Sequence, residues 1–179
     1  MNIRNQYQKY GVKSYYQMFG NTYYNPHEPS IKKGIEIINR EWNLDFSNVL
    51  DLAAGNGEVT EALKDIGIMN VSGIDPYTFE IYEKRTGKSC EKFSFNDISG
   101  GVLDGRRYSI IFCSYALHLA EKSKLPFLIW RLASISPNLI ILSPHKNPVI
   151  QEDWGVTLQD EKMVNRTRIR WYKSNLIDE

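Results

Sequence analysis

Short apolar runs alternate with segments of helical periodicity along most of the chain. Strands are predicted at 49–53, 71–74, 108–114, 139–142 and 166–172, with weaker candidates at 92–95 and 156–158. Helices are predicted at 59–66, at 79–85, around 125–132 and from Pro29, where Ile31, Ile35, Ile38 and Trp42 form one apolar face. Because strands and helices alternate, we predict an α/β fold, doubly wound, with a mostly parallel sheet and helices on both faces.

The first 27 residues differ from the rest of the chain. They are rich in Tyr, Gln and Asn and carry no acid before Glu28. Transit peptides are usually rich in Arg and Ser and amphipathic, so an arm that packs on the domain through its aromatic rings is favoured over a transit peptide. We therefore predict an N-terminal tyrosine-rich arm or lid over 1–27 and a single domain over 28–179.

Composition narrows the class of protein. A chain of 179 residues fits one domain, and 22 basic against 21 acidic residues give a net charge of +1, which argues against a general nucleic-acid binder. No stretch approaches the roughly 18 apolar residues of a membrane span, and no secretory signal opens the chain. Two cysteines, Cys90 and Cys113, are too few for a zinc site, so no metal is expected. We expect a cytoplasmic protein with no membrane partner.

A glycine-rich turn follows the first predicted strand. The strand at 49–53 runs into Gly55-Asn56-Gly57, and a helix begins at once. Glycines in such a turn permit positive φ angles and let a ligand approach the backbone, while the helix N-terminus offers unpaired N–H groups. Ligands of open α/β sheets bind at this edge, outside the carboxyl ends of the strands.

The side chains near this turn restrict the ligand. The dinucleotide fingerprint requires a third glycine where Thr60 stands, and the carboxylate of Asp51 would repel a pyrophosphate. Asp75 ends the next strand about 20 residues after the first glycine, where an acid accepts hydrogen bonds from the ribose hydroxyls. A nucleoside that carries a positive charge fits this pair of acids, and a nicotinamide-dependent oxidoreductase is disfavoured.

Four segments resemble the motifs of class I S-adenosylmethionine-dependent methyltransferases. VLDLAAGNGEVT at 49–60 resembles the first motif, GIDPY at 73–77 the second, FNDI at 95–98 the third, and FCSYALHL at 112–119 the fourth strand and its loop. The resemblance covers roughly 26–175. It implies a seven-stranded Rossmann-like sheet with a reversed last strand, S-adenosyl-L-methionine as cofactor and S-adenosyl-L-homocysteine as product.

The resemblance also implies residue roles. Asp75 accepts from the ribose, Asp97 takes the adenine amino group unless it only caps a local turn, and Ile98 flanks the ring. Ala53 stands where the first motif usually has glycine and narrows the space near the methionine moiety. The implied cofactor-binding set is Asp51, Ala53, Ala54, Gly55, Asn56, Gly57, Asp75, Pro76, Tyr77, Asn96, Asp97, Ile98, Ser114 and Tyr115.

Methyl transfer from a sulfonium mainly requires positioning and exclusion of water; a base is needed only if the acceptor must lose a proton. His118 follows the fourth strand and is the catalytic candidate, with a purely structural histidine as the alternative. Aromatic rings attract cations, so the lid candidates are Tyr23, Tyr24 and His27, although packing explains them equally well. His145 and Lys146 follow the fifth strand as candidates for the substrate mouth, with a solvated loop lysine as the alternative for Lys146.

The acceptor is not identified by the sequence. After the fourth strand the chain reads Ser114-Tyr115-Ala116-Leu117 instead of Asn-Pro-Pro-Tyr, which argues against amide and nucleobase amines and favours a small molecule. Arg166, Arg168 and Arg170 share one face of the last strand. This basic stripe is consistent either with a solvent-exposed face or with a surface that binds an acidic substrate or RNA.

Two points of organisation stay open. Little sequence lies outside the core fold, so the acceptor pocket is expected to come from the arm, from the loops after strands four and five, or from a partner chain such as a second copy. The alternative to an enzyme is a methyltransferase-like regulatory or scaffolding module that binds cofactor without catalysis of its own.

Overall fold

The computed structural model describes residues 24–177 together with residues 11 and 14, so most of the predicted arm, including Tyr23, lies outside the described residues. The helices are α1 (Glu28–Glu41), α2 (Glu58–Asp65), α3 (Phe79–Thr86), α4 (Phe95–Ser99) and α5 (Leu125–Ile135). The strands are β1 (Val49–Leu52), β2 (Val71–Ile74), β3 (Cys90–Glu91), β4 (Ile110–Ser114), β5 (Asn138–Ser143), β6 (Val156–Val164) and β7 (Thr167–Ser174). Two 3₁₀ turns lie at Leu117–Leu119 and Glu152–Trp154.

The sheet has seven strands in the order β3-β2-β1-β4-β5-β7-β6. Strands β1 to β5 pair in parallel, whereas β7 runs antiparallel between β5 and β6. The predicted doubly wound sheet with a reversed last strand is therefore confirmed. The order of strands reverses between β1 and β4, which places a crevice outside their carboxyl ends.

Helices cover both faces of the sheet. On one face α1 buries Ile31, Ile35 and Ile38, as their spacing predicts, in a core that also contains residues of β1, α2, β4 and β5. A Cβ added at Gly34 would lie 2.4 Å from Ile169 Cδ1, so α1 approaches β7 as closely as glycine allows. On the other face α5 is apolar along most of its length and packs in the second core with β4 and β5. The two cores fix the positions of the strand ends that form the crevice.

Several element boundaries differ from the sequence predictions. The predicted strand at 92–95 is wrong: β3 ends at Glu91, and Ser94 is the N-cap of α4. The Ser94 hydroxyl accepts a hydrogen bond from the Asp97 amide while the Asp97 carboxylate accepts from the Ser94 amide, and this reciprocal cap begins a helix. Strand β6 extends well beyond 158, to a tight turn at Asn165 with φ of 55°, so Arg166 lies in the turn and not in the strand.

Within the described part of the chain, none of the helices is both long and apolar enough to cross a membrane.

Candidate functional site

The glycine turn between β1 and α2 is built from backbone with positive φ. Gly55 has φ of 58° and Gly57, the N-cap of α2, has φ of 84°. A Cβ on Gly57 would lie 2.6 Å from Thr86 Cγ2, so both the angle and the close approach of α3 require glycine there. Ala53 adopts φ of 53°, a left-handed conformation that costs an L-residue about 1–2 kcal/mol. The turn is therefore tightly held and strained at its first residue.

Asp51 lies beneath the turn and is fully buried. Its Oδ2 accepts hydrogen bonds from the Thr60 amide at 3.1 Å and from the Thr60 hydroxyl at 2.7 Å, and this hydroxyl also contacts the Tyr82 hydroxyl at 3.0 Å. Thr60, which breaks the dinucleotide fingerprint, is thus the residue that ties α2 to β1. Burial raises the pKa of Asp51 to about 8, and the nearby charges of Glu58 and Asp75 add to the rise.

Asp75 joins the end of β2 to the glycine turn. Its Oδ2 accepts from the Gly55 amide at 3.0 Å, and its Oδ1 accepts from the amides of Tyr77 and Thr78 at 2.8 and 2.9 Å. The Thr78 hydroxyl in turn donates to the Gly55 carbonyl at 2.6 Å. A carboxylate has about four lone-pair sites, so Asp75 retains room for one further donor. The glycine turn and Asp75, which the sequence analysis paired, are therefore joined by hydrogen bonds.

Glu58, the first residue of α2, is a site residue that the sequence analysis missed. Its Oε2 lies 3.3 Å from the position of a Cβ on Gly55, and only 6% of the residue is exposed. Burial raises the pKa of Glu58, while its own backbone amide and the charge of Arg85 oppose the rise. An acid at the first position of a helix after a glycine turn is the signal that could have found it. Three acidic side chains, of Asp51, Glu58 and Asp75, therefore surround the turn.

The end of β4 lies beside this turn because β1 and β4 pair, with Leu52 opposite Cys113. The Ser114 hydroxyl is buried and has no hydrogen-bond partner within the described residues. Tyr115 has φ of 55°, donates its amide to the Leu142 carbonyl at 2.8 Å and shares a hydrogen bond with the Thr167 hydroxyl. Its backbone and its side chain are therefore both fixed.

His27 reaches the same place from the start of α1. Its imidazole stacks on the Tyr115 ring, with centroids 4.3 Å apart and planes at 12°. Burial lowers the pKa of His27 and raises that of Tyr115. Of the three lid candidates, His27 thus lies against the residue that follows β4, Tyr24 is 68% exposed, and Tyr23 lies outside the described residues.

The polar side chains of the third motif, at 95–98, have hydrogen-bond partners within the protein. The Asp97 carboxylate accepts from the Ser94 amide at 2.8 Å and from the Ser94 hydroxyl at 2.7 Å, the turn-capping arrangement that the sequence left open. Asn96 is bonded to Glu121 and Lys124, which follow β4. Ile98 is buried in the core beneath. Contact of these residues with an adenine ring stays a prediction.

The remaining candidates lie on exposed loops at the same edge of the sheet. His118 is exposed on the 3₁₀ turn after β4, and His145 and Lys146 are exposed in the loop after β5. Tyr77, after β2, is 40% exposed. These loops contribute the outer rim of the crevice, and the catalytic role of His118 stays a prediction.

The prediction that the arginine stripe lies on a solvent-exposed face is wrong for Arg170, of which only 4% is exposed. Its Nη1 donates to the carbonyls of Lys146 and Pro148, each at 3.0 Å, so the loop after β5 covers it. Its Nε and Nη2 have no hydrogen-bond partner in the described part of the chain. Arg168 pairs with Glu161 on β6. Arg166 is exposed and Arg168 is half-buried, so the three arginines do not share one solvent-exposed face.

Neither cysteine is reactive. Cys90 and Cys113 are buried, and burial raises the pKa of each thiol to about 12, so both stay protonated at neutral pH. The residues that the structure describes hold no group of three or more His, Cys, Asp or Glu side chains placed to bind a metal ion.

Comparison with known proteins identifies the fold. No model of a protein family matches the sequence. An uncharacterized protein of Schizosaccharomyces pombe is 29% identical over an alignment of 225 residues that covers 94% of this chain and 91% of the relative. The magnesium protoporphyrin IX methyltransferase ChlM of Synechocystis, crystallised with bound SAM, superposes with a TM-score of 0.68 at 16% identity and covers 96% of this chain and 95% of its own.

A second solved structure agrees. The N-methyltransferase NodS of Bradyrhizobium japonicum, in complex with S-adenosyl-L-homocysteine, gives a TM-score of 0.64 at 13% identity and covers 97% of this chain and 99% of its own. Both neighbours match over nearly their full length. The chain therefore has the class I methyltransferase fold, as the four sequence motifs predict.

Proposed function

We propose that this protein transfers a methyl group from S-adenosyl-L-methionine to a small acceptor molecule. The observation that carries the proposal is the acid-lined glycine turn at the point where the strand order reverses, with Asp51, Glu58 and Asp75 around it. The bound SAM in ChlM and S-adenosyl-L-homocysteine in NodS, which share the fold, support it.

The charge at the turn selects among nucleoside ligands. A pyrophosphate would lie against the carboxylates of Glu58 and Asp75, and like charges at such distances are costly. S-adenosyl-L-methionine carries a sulfonium and an ammonium group instead, so its charge complements that of the turn. The same acids oppose the binding of a nicotinamide dinucleotide, and this favours methyl transfer over hydride transfer.

The residues of the site divide the work of binding. The free lone pair of Asp75 suits a ribose hydroxyl, and the missing side chain at Gly55 lets the methionine moiety approach the backbone of the turn. Asp97 and Ile98 are assigned to the adenine ring. When bound, the cofactor supplies an electrophilic methyl group; the protein orients the acceptor for in-line attack and excludes water.

A small acceptor is favoured because the described loops are short. The segment between β4 and α5 and the one between β5 and β6 contain a single 3₁₀ turn each, and neither forms a separate cap over the crevice. The pocket for the acceptor is then built from the loops that carry His118, His145 and Lys146, together with the N-terminal segment or a second chain.

A transfer assay tests the proposal. The full chain is incubated with S-adenosyl-L-methionine labelled in its methyl group and with the small-molecule fraction of a cell extract, and label is followed into new products. We expect transfer by the native protein and none by Asp75→Asn. A folded protein that binds the cofactor and labels nothing would favour the regulatory or scaffolding module instead.

A further inference from the structure

Three contacts hold the start of α1 in place. Glu28 forms an ion pair with Arg85, Ser30 accepts from Asn165 at 3.2 Å, and His27 stacks on Tyr115. One of these partners, Tyr115, directly follows the end of β4, which borders the crevice. The segment at 27–30 is thus held beside the crevice that the proposed function assigns to the reacting end of the cofactor.

The face of the His27 imidazole packs on the Tyr115 ring, and the edge, which carries the ring nitrogens, is left available. The Tyr115 ring on which it lies is itself anchored through the Thr167 hydroxyl. Among the described residues, no hydrogen bond reaches either imidazole nitrogen of His27; its bonds are made by its backbone, whose amide donates to the Asn25 side chain at 2.9 Å and whose carbonyl accepts from the amides of Ser30 and Ile31. By contrast, His118 and His145 are exposed on loops. Of the three histidines, His27 alone combines a fixed ring with a partly buried position in the crevice.

The surroundings of His27 keep the ring neutral. The titratable groups on the elements around it are Glu28 on α1, Glu58 on α2, Arg85 on α3 and Tyr115 after β4. Glu28 and Arg85 neutralise each other, and burial raises the pKa of Glu58, which disfavours its charged form. Burial lowers the pKa of His27, so at neutral pH its imidazole carries one proton and one free lone pair.

We propose that His27 accepts the proton that the methyl acceptor loses. This inference rests on the proposed function and adds the class of acceptor, which is a group with both a lone pair and a proton, such as a hydroxyl or a neutral amine. The lone pair of the acceptor atom forms the new bond to the methyl carbon, and the carbon–sulfur bond breaks with its electron pair going to sulfur, which becomes a neutral thioether. The acceptor's proton passes to an imidazole nitrogen of His27 and from there to solvent.

Two cofactor analogues test this without knowledge of the acceptor. S-adenosyl-L-homocysteine has nothing at the methyl position, whereas sinefungin carries a primary ammonium group in place of the methyl sulfonium. A neutral imidazole beside that position accepts a hydrogen bond from the ammonium. His27→Phe keeps an aromatic ring on Tyr115 and removes the lone pair. Calorimetry on the full chain is expected to show that it weakens sinefungin about tenfold and changes the affinity for S-adenosyl-L-homocysteine less than about twofold. Lys33→Gln, an exposed position of the same helix outside the site, serves as the control and leaves both affinities unchanged.

The outcomes separate the two proposals. If the native protein binds neither analogue, the proposed function is overturned, and this inference with it. If both analogues bind and His27→Phe weakens them equally or not at all, the proposed function stands and His27 is not the proton acceptor. Nuclear magnetic resonance of the native protein supplies a second readout: the His27 imidazole is expected to titrate below the ordinary histidine range and to shift more on sinefungin binding than those of His118 and His145. A larger shift at either of these would overturn the assignment.

Discussion

The Tyr115 hydroxyl shares a hydrogen bond with the Thr167 hydroxyl, while the Tyr115 ring carries the stacked imidazole of His27. One side chain thus joins three distant parts of the chain: the start of α1, the loop after β4 and the first residue of β7. Thr167 is almost fully buried, so this bond is made inside the protein and not at its surface. The position of His27 over the crevice therefore depends on the tyrosine beneath it.

Removal of this hydrogen bond is expected to destabilise the fold modestly. Tyr115→Phe keeps the aromatic face for His27 but leaves Thr167 unpaired, so we expect a loss of about 1 kcal/mol in the free energy of unfolding. Thr167→Val removes the other partner. Chemical denaturation of both single variants and the double variant should give a coupling energy of about 1 kcal/mol; strict additivity would contradict the bond.

The close approach of α3 makes Gly57 irreplaceable. Gly57→Ala sets a Cβ 2.6 Å from Thr86 Cγ2 at φ of 84°, and we expect a loss of more than about 2 kcal/mol together with weakened cofactor binding. Gly67→Ala is the matched control because Gly67 has φ of 86° with nothing within 4 Å of the added carbon. It should cost only the backbone strain, about 1–2 kcal/mol, and leave binding intact. Equal losses in denaturation experiments would show that the contact does not matter.

The strained alanine of the turn offers a stabilising substitution. Ala53 has φ of 53°, where glycine is preferred, so Ala53→Gly should raise the melting temperature or leave it unchanged. Ala54→Gly, at the neighbouring buried position, should lower it, because it gains unfolded-state freedom and loses a packed methyl group. Calorimetric melting of the two variants checks the difference, and a lower melting temperature for Ala53→Gly than for Ala54→Gly would be the contrary result.

The buried carboxyl of Asp51 predicts a dependence of stability on pH. Its pKa in the folded protein, about 8, lies above the unfolded value near 3.9, so the folded state binds more protons between these values and becomes less stable as pH rises through them. Asp51→Asn keeps an oxygen acceptor for Thr60 and does not ionise. We therefore expect the free energy of unfolding of Asp51→Asn, relative to that of the native protein, to rise by more than about 1 kcal/mol between about pH 5 and pH 9.

Glu91→Gln is the control for this measurement. Its ion pair with Arg106 lowers the pKa of Glu91, so the carboxyl is already ionised in both folded and unfolded chains above about pH 5. In urea denaturation experiments, the difference in free energy of unfolding between Glu91→Gln and the native protein should stay constant over the same pH range. If the difference for Asp51→Asn is also constant with pH, Asp51 is ionised in the folded protein.

Much of the architecture follows from local sequence patterns. Alternating strand and helix periods predicted the sheet and both helical layers, and the burial of Ile31, Ile35 and Ile38 followed from their spacing. The strand predicted at 92–95 was wrong because the reciprocal cap between Ser94 and Asp97 begins a helix there, although its Ser-x-x-Asp spacing is visible in the sequence. Local patterns were therefore sufficient where a segment kept either the helix or the strand periodicity over its whole length.

The site itself was only partly predictable. The pairing of the glycine turn with Asp75 followed from a motif of known spacing, and the structure joins them by a hydrogen bond. The stack of His27 on Tyr115 and the burial of Arg170 under the loop after β5 depend on chain segments far apart in sequence, and no periodicity records such contacts. Glu58 was overlooked because an acid in a first helical turn is usually exposed.

The central claim is that the glycine turn and Asp75 bind S-adenosyl-L-methionine and its product. Calorimetric titration of the full chain with S-adenosyl-L-homocysteine tests it most directly, beside Asp75→Asn and the control Asp104→Asn, which alters a surface ion pair with Arg131. We predict one-to-one binding by the native chain and the control, and at least tenfold weaker binding by Asp75→Asn. Absence of binding by the native, folded chain would contradict the claim.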